Sequence, residues 1–269
     1  MYYIIPALLI IALLILNQKH YWKVNSLLKI DLKKDIAISI LCVATSFISI
    51  ELQDRKAEKF QKFQIGSLDQ TKIDQINWLD RIVAGRWDLL AKDNGKALMS
   101  IAIYIIPLSL FLFRGGIKER LGLFFIFTQG YILTESVTGI VKGLTERYRP
   151  FAYRSLVEIR QLGMEAKEEF VEDISKYDIE NSFFSGDAAL TAFSLIFFAY
   201  AFQVIYSESK LRKIVWGFML LGIVIKCYFR TMSGKHFPSD VMVGAVFGSV
   251  LAFFIIKLHL TKTSSLSKS

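Results

Sequence analysis

The chain has 269 residues, 53% of them hydrophobic and only four of them proline, with a formal charge of +9. So apolar a composition excludes a disordered chain and exceeds that of an ordinary soluble domain, which leaves a membrane protein as the first reading. The Lys and Arg residues are spread between apolar blocks and form no stripe beside stacking aromatics, so the charge reads as membrane topology and nucleic acid is not expected as a partner.

Seven apolar blocks follow one another, at roughly 1–17, 35–51, 97–113, 121–141, 188–206, 213–229 and 239–257. Each is near the length that crosses a bilayer core. The first lacks a basic leading region and has no small-residue cleavage site after Leu16, so it reads as a retained helix rather than a cleaved peptide. The second, DIAISILCVATSFISI, is the shortest in hydrophobic terms and suits either a span or a buried or interfacial helix. Cys42 and Cys227 lie inside apolar blocks without CxxC spacing and read as packing residues.

Basic residues alternate with the blocks. Lys19, Lys23, Lys29, Lys33 and Lys34, then Arg114, Lys118 and Arg120, then Lys210, Arg212 and Lys213, then Lys257, Lys262 and Lys268 all fall on one side. Cytoplasmic loops retain Lys and Arg, so that side reads as the cytoplasm and the amino terminus as external. The expected organisation is a span plus a basic cytoplasmic segment over 1–34, a membrane domain over 35–257, and a cytoplasmic tail over 258–269. The tail ends in the low-complexity run TKTSSLSKS, which reads as disordered. Outward connections 52–96, 142–187 and 230–238 can build one external site. Within 52–96, Ile73, Ile76, Trp78, Leu79, Ile82 and Val83 form an uneven stripe that suits an amphipathic helix on the membrane or a solvated helical cap, with Trp78 and Trp87 at headgroup level.

Three outward clusters stand at the mouths of the later spans. Lys142 and Arg149 are seven residues apart, two helical turns, so a continuing helix would let both clamp one anion; interfacial anchoring is the ordinary alternative. Ser185, Gly186 and Asp187 open the fifth block, where free amides make an anion site, or where Ser185 or Asp187 simply caps the helix. Arg230, His236 and Asp240 flank Pro238, a residue suited to a first helical turn. Asp240 just inside that helix can reach back to one nitrogen of His236 and leave the other free as a nucleophile. The other histidines, His20 and His259, map to the cytoplasmic side.

Together the clusters resemble the type 2 phosphatidic acid phosphatase family, whose pattern is K-x6-R-P, then P-S-G-H, then S-R-x5-H-x3-D. The first motif is intact at Lys142, Arg149 and Pro150, and R-x5-H-x3-D is intact at Arg230, His236 and Asp240. The middle motif keeps Ser185 and Gly186, but Phe184 stands for its proline and Asp187 for its histidine, and Phe229 stands for the serine before Arg230. The resemblance covers roughly residues 70–257. It implies an all-α polytopic bundle, a six-span phosphatase core with one extra N-terminal span, acting on a membrane lipid phosphate without metal or cofactor. Lys142, Arg149, Arg230, Ser185 and Gly186 would bind the phosphoryl group, His236 would attack phosphorus, and Asp240 would orient it. Soluble vanadate-binding haloperoxidases share the superfamily, but seven apolar blocks argue against that class.

The family's middle histidine serves as acid to the leaving group, a role that would pass to Asp187. A carboxyl beside three cations suits a base or acceptor better than an acid. Asp187 can therefore be a weak acid, a mark of lost chemistry, or tolerable for a substrate that needs little acid help. The last option favours a diphosphate such as a polyprenyl (undecaprenyl-type) diphosphate over phosphatidic acid; the alternative is a catalytically impaired binder or transporter of lipid phosphate. By analogy the setting is a bacterial inner membrane with the site facing the periplasm or exterior. Glu135 and Lys226, both within apolar blocks, are expected to pair beneath the site, unless Lys226 snorkels to the interface.

Overall fold

The computed structural model describes residues 21–23, 28–60 and 70–260. The first apolar block, His20 and the TKTSSLSKS tail lie outside the described residues. Within them, six helical segments are long and apolar enough to cross a membrane, and the chain is an all-α integral membrane protein. One small antiparallel ribbon, β1 (Tyr21–Lys23) against β2 (Lys29–Asp31), leads into the first of them and was not foreseen from the sequence.

The first span, α1 (Leu32–Lys59), is a helix of 28 residues, about 42 Å at helical rise. Asp31 caps it by accepting from the amides of Lys33 and Lys34. That length places the second apolar block in a full span. The second span begins as α2 (Leu89–Ser100) and continues through a π-helical turn, Ile101–Ile105, to Leu112. Pro107 follows that turn; a proline lacks an N–H and crowds the preceding turn, so the regular ladder breaks there. The remaining spans are α3 (Ile117–Leu144), then, after an external helix α4 (Met164–Ser175), α5 (Gly186–Ile205), α6 (Arg212–Met232) and α7 (Pro238–His259).

The spans alternate in direction. Asp35 of α1 meets His259 of α7 at 2.7 Å, and Lys34 donates to the Leu258 carbonyl. At that same end the backbone amide of Arg114 donates to the Tyr206 hydroxyl. The described basic connections thus gather at one end, and His236 and the ends of α1, α3 and α6 at the other.

Two cores result. Inside the bundle, Phe127, Phe193, Phe197, Ile126, Ile255 and Ala252 pack between α3, α5 and α7. Lipid tails are as apolar as these side chains, so helix contact in a membrane depends on close packing rather than on water exclusion. Gly244 and Gly248, one turn apart on α7, supply it. A Cβ at Gly244 would run into the backbone oxygen of Ser185, the cap of α5, and one at Gly248 into that of Ala189 within it. This close approach presses the start of α5 against the helix that follows His236. A second core, at the site end, is formed by Trp87, Phe151, Ile159, Phe170, Ile174 and Ile179.

The 52–96 connection differs from expectation. Its first residues extend α1 to Lys59 and its last open α2 at Leu89, and between them the described residues hold two short helices, Gln70–Asp74 and Trp78–Arg81, rather than one amphipathic helix. Asn77 breaks the run by capping the second turn through the amides of Leu79 and Asp80. Trp78 is exposed, but Trp87 is buried in the outer core and donates its indole N–H to Asp173, so only the former is free to meet headgroups.

Replacing Gly248 by Leu should overfill the contact between α5 and α7 and cost about 1–3 kcal/mol. Gly217→Leu is the matched control, because a Cβ at Gly217 meets nothing within 4 Å. Thermal melting in detergent should separate the two; equal melting points would contradict the packing.

Candidate active site

The site begins where α3 ends. Lys56, buried near the end of α1, donates to the carbonyls of Lys142, Thr145 and Glu180 and to the Asn181 side chain, at 2.6–3.2 Å. Carbonyls at a helix C-terminus lack partners and carry partial negative charge, so one ammonium there both satisfies them and stops the helix. Beyond Leu144 the chain runs extended: Arg147 N donates to Glu180 O, Arg149 N to Ile179 O, and Ser182 N to Arg147 O. The helix expected to carry both Lys142 and Arg149 therefore ends between them. Their seven-residue spacing is not a shared helical face.

Arg149 is buried, and each of its three guanidinium nitrogens donates a hydrogen bond. Nε donates to the Asp178 carbonyl (2.8 Å), one terminal nitrogen to the Asp178 carboxylate (2.6 Å), and the other to the Lys235 carbonyl (2.9 Å). Burial opposes ionisation of Asp178, but the charges of Arg149 and Lys142 prevail and hold its carboxyl well below the ordinary range. Arg149 thus fixes the loop that carries His236 as well as supplying charge.

That loop turns at Gly234, whose φ of +70° favours glycine and whose carbonyl accepts from Phe151 N. His236 is fully buried. Its Nδ1 lies 2.6 Å from the carbonyl oxygen of Ser182. A carbonyl only accepts, so Nδ1 carries the proton and Nε2 of the neutral ring carries the lone pair. Among the described residues no hydrogen-bond partner reaches Nε2. Burial, and then the cations Arg149, Arg230 and Lys142, hold the imidazole well below its ordinary 6.5, against the Ser182 bond that favours the charged ring.

Asp240 was expected to touch that ring. Its Oδ2 lies 4.0 Å from Nδ1 and accepts instead from Ser182 Oγ (2.5 Å) and the amide of Phe237 (2.9 Å). Its other oxygen is bound by Arg147. Asp240 therefore steadies the residue whose carbonyl steadies His236. Arg147 also donates to Asp80 at 2.6 Å, and Asp80 accepts from the amide and hydroxyl of Ser239. Arg147, Asp80 and Ser182 carry this support and were not singled out in the sequence. Arg147 lies inside the K-x6-R-P run, where its position between two motif cations was the available signal.

The second cluster, Ser185, Gly186 and Asp187, opens α5. Ser185 Oγ accepts from Ala188 N at 3.3 Å, the capping role weighed above. Gly186 faces Lys142: a Cβ there would lie 3.6 Å from its Nζ. Asp187 Oδ2 lies 3.0 Å from Lys226 Nζ and 3.4 Å from an Arg230 terminal nitrogen. The expected partner of Lys226, Glu135, is not the one found among the described residues. Lys226 turns towards α2 and the start of α5, donating to Gly95 O and Asp187, whereas Glu135 lines a cavity of about 410 Å³ beside Ser46, Gln53, Lys142, Gly186 and Asp187. Arg230 Nε is buried and, among the described residues, has no acceptor. Arg230 Nε, an unused donor, and His236 Nε2, an unused lone pair, thus both lie in a cluster of cations; the donor and the cations suit an oxyanion, and the lone pair suits attack on its central atom.

An outer lid reinforces the cluster. Asp173 of α4 accepts from Lys92, Lys235 and Trp87. Burial and the Arg149 charge push the Lys235 ammonium down to about 8, against its pairing with Asp173.

Arg147→Met should strand the buried carboxylates Asp80 and Asp240 and cost about 3–5 kcal/mol, read by melting. The acid limb of kcat/KM belonging to His236 should lie below pH 6.5. Arg230→Gln removes a neighbouring cation, so protonation becomes easier and the limb should move up towards 6.5. A wild-type limb above that value would contradict the site's electrostatics.

A sequence profile described as the PAP2 superfamily matches residues 123–264, a stretch that contains Lys142, Arg149, Ser185, Gly186, Asp187, Arg230, His236 and Asp240.

Proposed function

The chain belongs to the PAP2 superfamily, and from that membership and the geometry of the site we propose a membrane phosphatase that cleaves a lipid phosphate or diphosphate through a phospho-histidine on His236. The superfamily supports a phosphoesterase-type hydrolase in general, and the six spans place it in the bilayer. The finer reading rests on one observation. His236 offers a buried, lone-pair-bearing Nε2 with no partner among the described residues, under the influence of Arg149, Arg230 and Lys142.

In this reading Nε2 attacks phosphorus, the bond from phosphorus to the leaving oxygen breaks, and the electron pair departs with that oxygen. The Ser182 carbonyl keeps the Nδ1 proton while the ring becomes cationic, and Asp240 at 4.0 Å stabilises that charge. Water then attacks the phospho-imidazole, releasing inorganic phosphate and the neutral ring. Arg230, Lys142 and the Gly186 amide bind the equatorial oxygens, and Arg149 adds charge while holding the loop. The distribution of basic residues favours a site facing away from the cytoplasm.

Asp187, between two cationic donors, is an acceptor and poorly suited to protonate a leaving group. A phosphoanhydride expels a phosphate whose second pKa is about 6, whereas a monoester expels a far more basic alkoxide. This favours a polyprenyl diphosphate over phosphatidic acid. Purified wild type should release phosphate from the diphosphate faster than from phosphatidic acid, and His236→Ala should abolish both. Faster monoester hydrolysis would reverse the substrate assignment; equal background from both proteins would favour a binding or transport role.

A further inference from the structure

Lys226 lies within a membrane span, four residues before Arg230, and is fully buried. An ammonium in such a position is costly unless paired, and intramembrane charges that persist usually serve a site. Its partners are unambiguous. Nζ donates to the carbonyl of Gly95 on α2 at 2.7 Å and to Asp187 Oδ2 at 3.0 Å. The same carboxylate oxygen lies 3.4 Å from Arg230, and the Asp187 side chain, one-third exposed, also lines the cavity shared with Lys142 and Gly186. One carboxylate is therefore divided between a cation beneath the site and a cation within it.

The charge count explains the need for both. Asp187 and Arg230 alone would form a neutral pair, cancelling a cation that a phosphoryl group requires and presenting a carboxylate to an incoming anion. Lys226 restores the missing positive charge from the protein side, where it cannot itself reach solvent. We propose that Lys226 is a positioning residue of the reaction, neutralising and fixing Asp187 so that Arg230 stays aimed at the phosphoryl group with its charge uncancelled. Lys226 then acts through Asp187, and Asp187 acts as an acceptor that orients Arg230 rather than as a proton source. The inference rests on the phosphatase reading and deepens it: a site whose carboxylate at the α5 start is committed to two cations favours leaving groups that depart as stable anions, namely phosphoanhydrides.

The test is a double-mutant cycle on full-length protein in detergent, with Lys226→Met, Asp187→Asn and the pair combined. Two quantities are read: kcat and KM for a polyprenyl diphosphate, and inhibition by orthovanadate as a probe of anion binding. Lys226→Met should raise KM and weaken vanadate inhibition by about tenfold or more, because an uncompensated carboxylate now faces the anion. Adding Asp187→Asn should recover most of that loss, since the charge that Lys226 opposes is gone. A packing role for Lys226 would give no such recovery.

The inference is overturned if the double variant is no better than Lys226→Met. It is equally overturned if every variant lacking the Asp187 carboxylate loses kcat by about 10²-fold or more while binding vanadate normally, the signature of a lost proton donor. Should Lys226→Met fail to fold, the double variant is compared with Asp187→Asn, in which the ammonium is stranded. The double should then melt higher and, having lost one charge of each sign, bind vanadate within a few-fold of wild type; a double that binds it tenfold or more weakly than wild type refutes the idea. His236→Ala run alongside separates the two readings: turnover surviving that change would refute the phospho-histidine, while vanadate binding across the cycle still reports on Lys226.

Discussion

The hydrogen bond between His236 Nδ1 and the Ser182 carbonyl is the contact that the site end of the bundle is arranged to hold. A carbonyl neither titrates nor donates, so it fixes the tautomer of the neutral ring and leaves Nε2 with its lone pair. A carboxylate at the same distance would do this too, but it would also favour the protonated ring and weaken the nucleophile at neutral pH. Asp240 is held one step back, at 4.0 Å, and spends its oxygens on Ser182, Phe237 and Arg147. The ring thus keeps a low proton affinity, with a carboxylate oxygen 4.0 Å from Nδ1.

Holding one carbonyl still at the edge of a membrane requires its neighbours to be anchored from several spans. Lys56 reaches from α1 to the end of α3 and to Asn181, the residue before Ser182. Arg149 ties the segment before Ser182 to the loop before His236 through Asp178 and Lys235. Gly244 and Gly248 let α7 approach the start of α5. None of these buried charges is isolated, as expected where water is unavailable to compensate them.

Much of this was legible in the sequence. Seven apolar blocks were marked, and the six that fall on described residues coincide with the spans found there, because burial in lipid demands long uninterrupted runs; the motif residues His236, Arg230, Asp240, Lys142, Gly186 and Asp187 all lie at the site end. What was not legible depends on contacts distant in sequence. Nothing local to Lys142 says that a lysine 86 residues earlier ends the helix and leaves Arg149 on an extended segment. Helical rise placed Lys226 and Glu135 at plausible depths, but rise says nothing about the direction a side chain takes around the bundle, and Lys226 turned towards Asp187. The indole of Trp87 found a carboxylate on α4, a helix whose docking no local pattern announces.

The buried carboxylate of Asp80 sits on a single helical turn well before residue 123, where the superfamily match begins. Yet it receives the backbone and hydroxyl of Ser239 at the first turn of α7 and shares Arg147 with Asp240. The matched stretch is therefore not a self-sufficient module. A fragment beginning at its boundary would retain the motif cations and His236 but would leave Arg147 and Ser239 without one of their acceptors, so a segment outside the matched stretch is built into the support of the site within it.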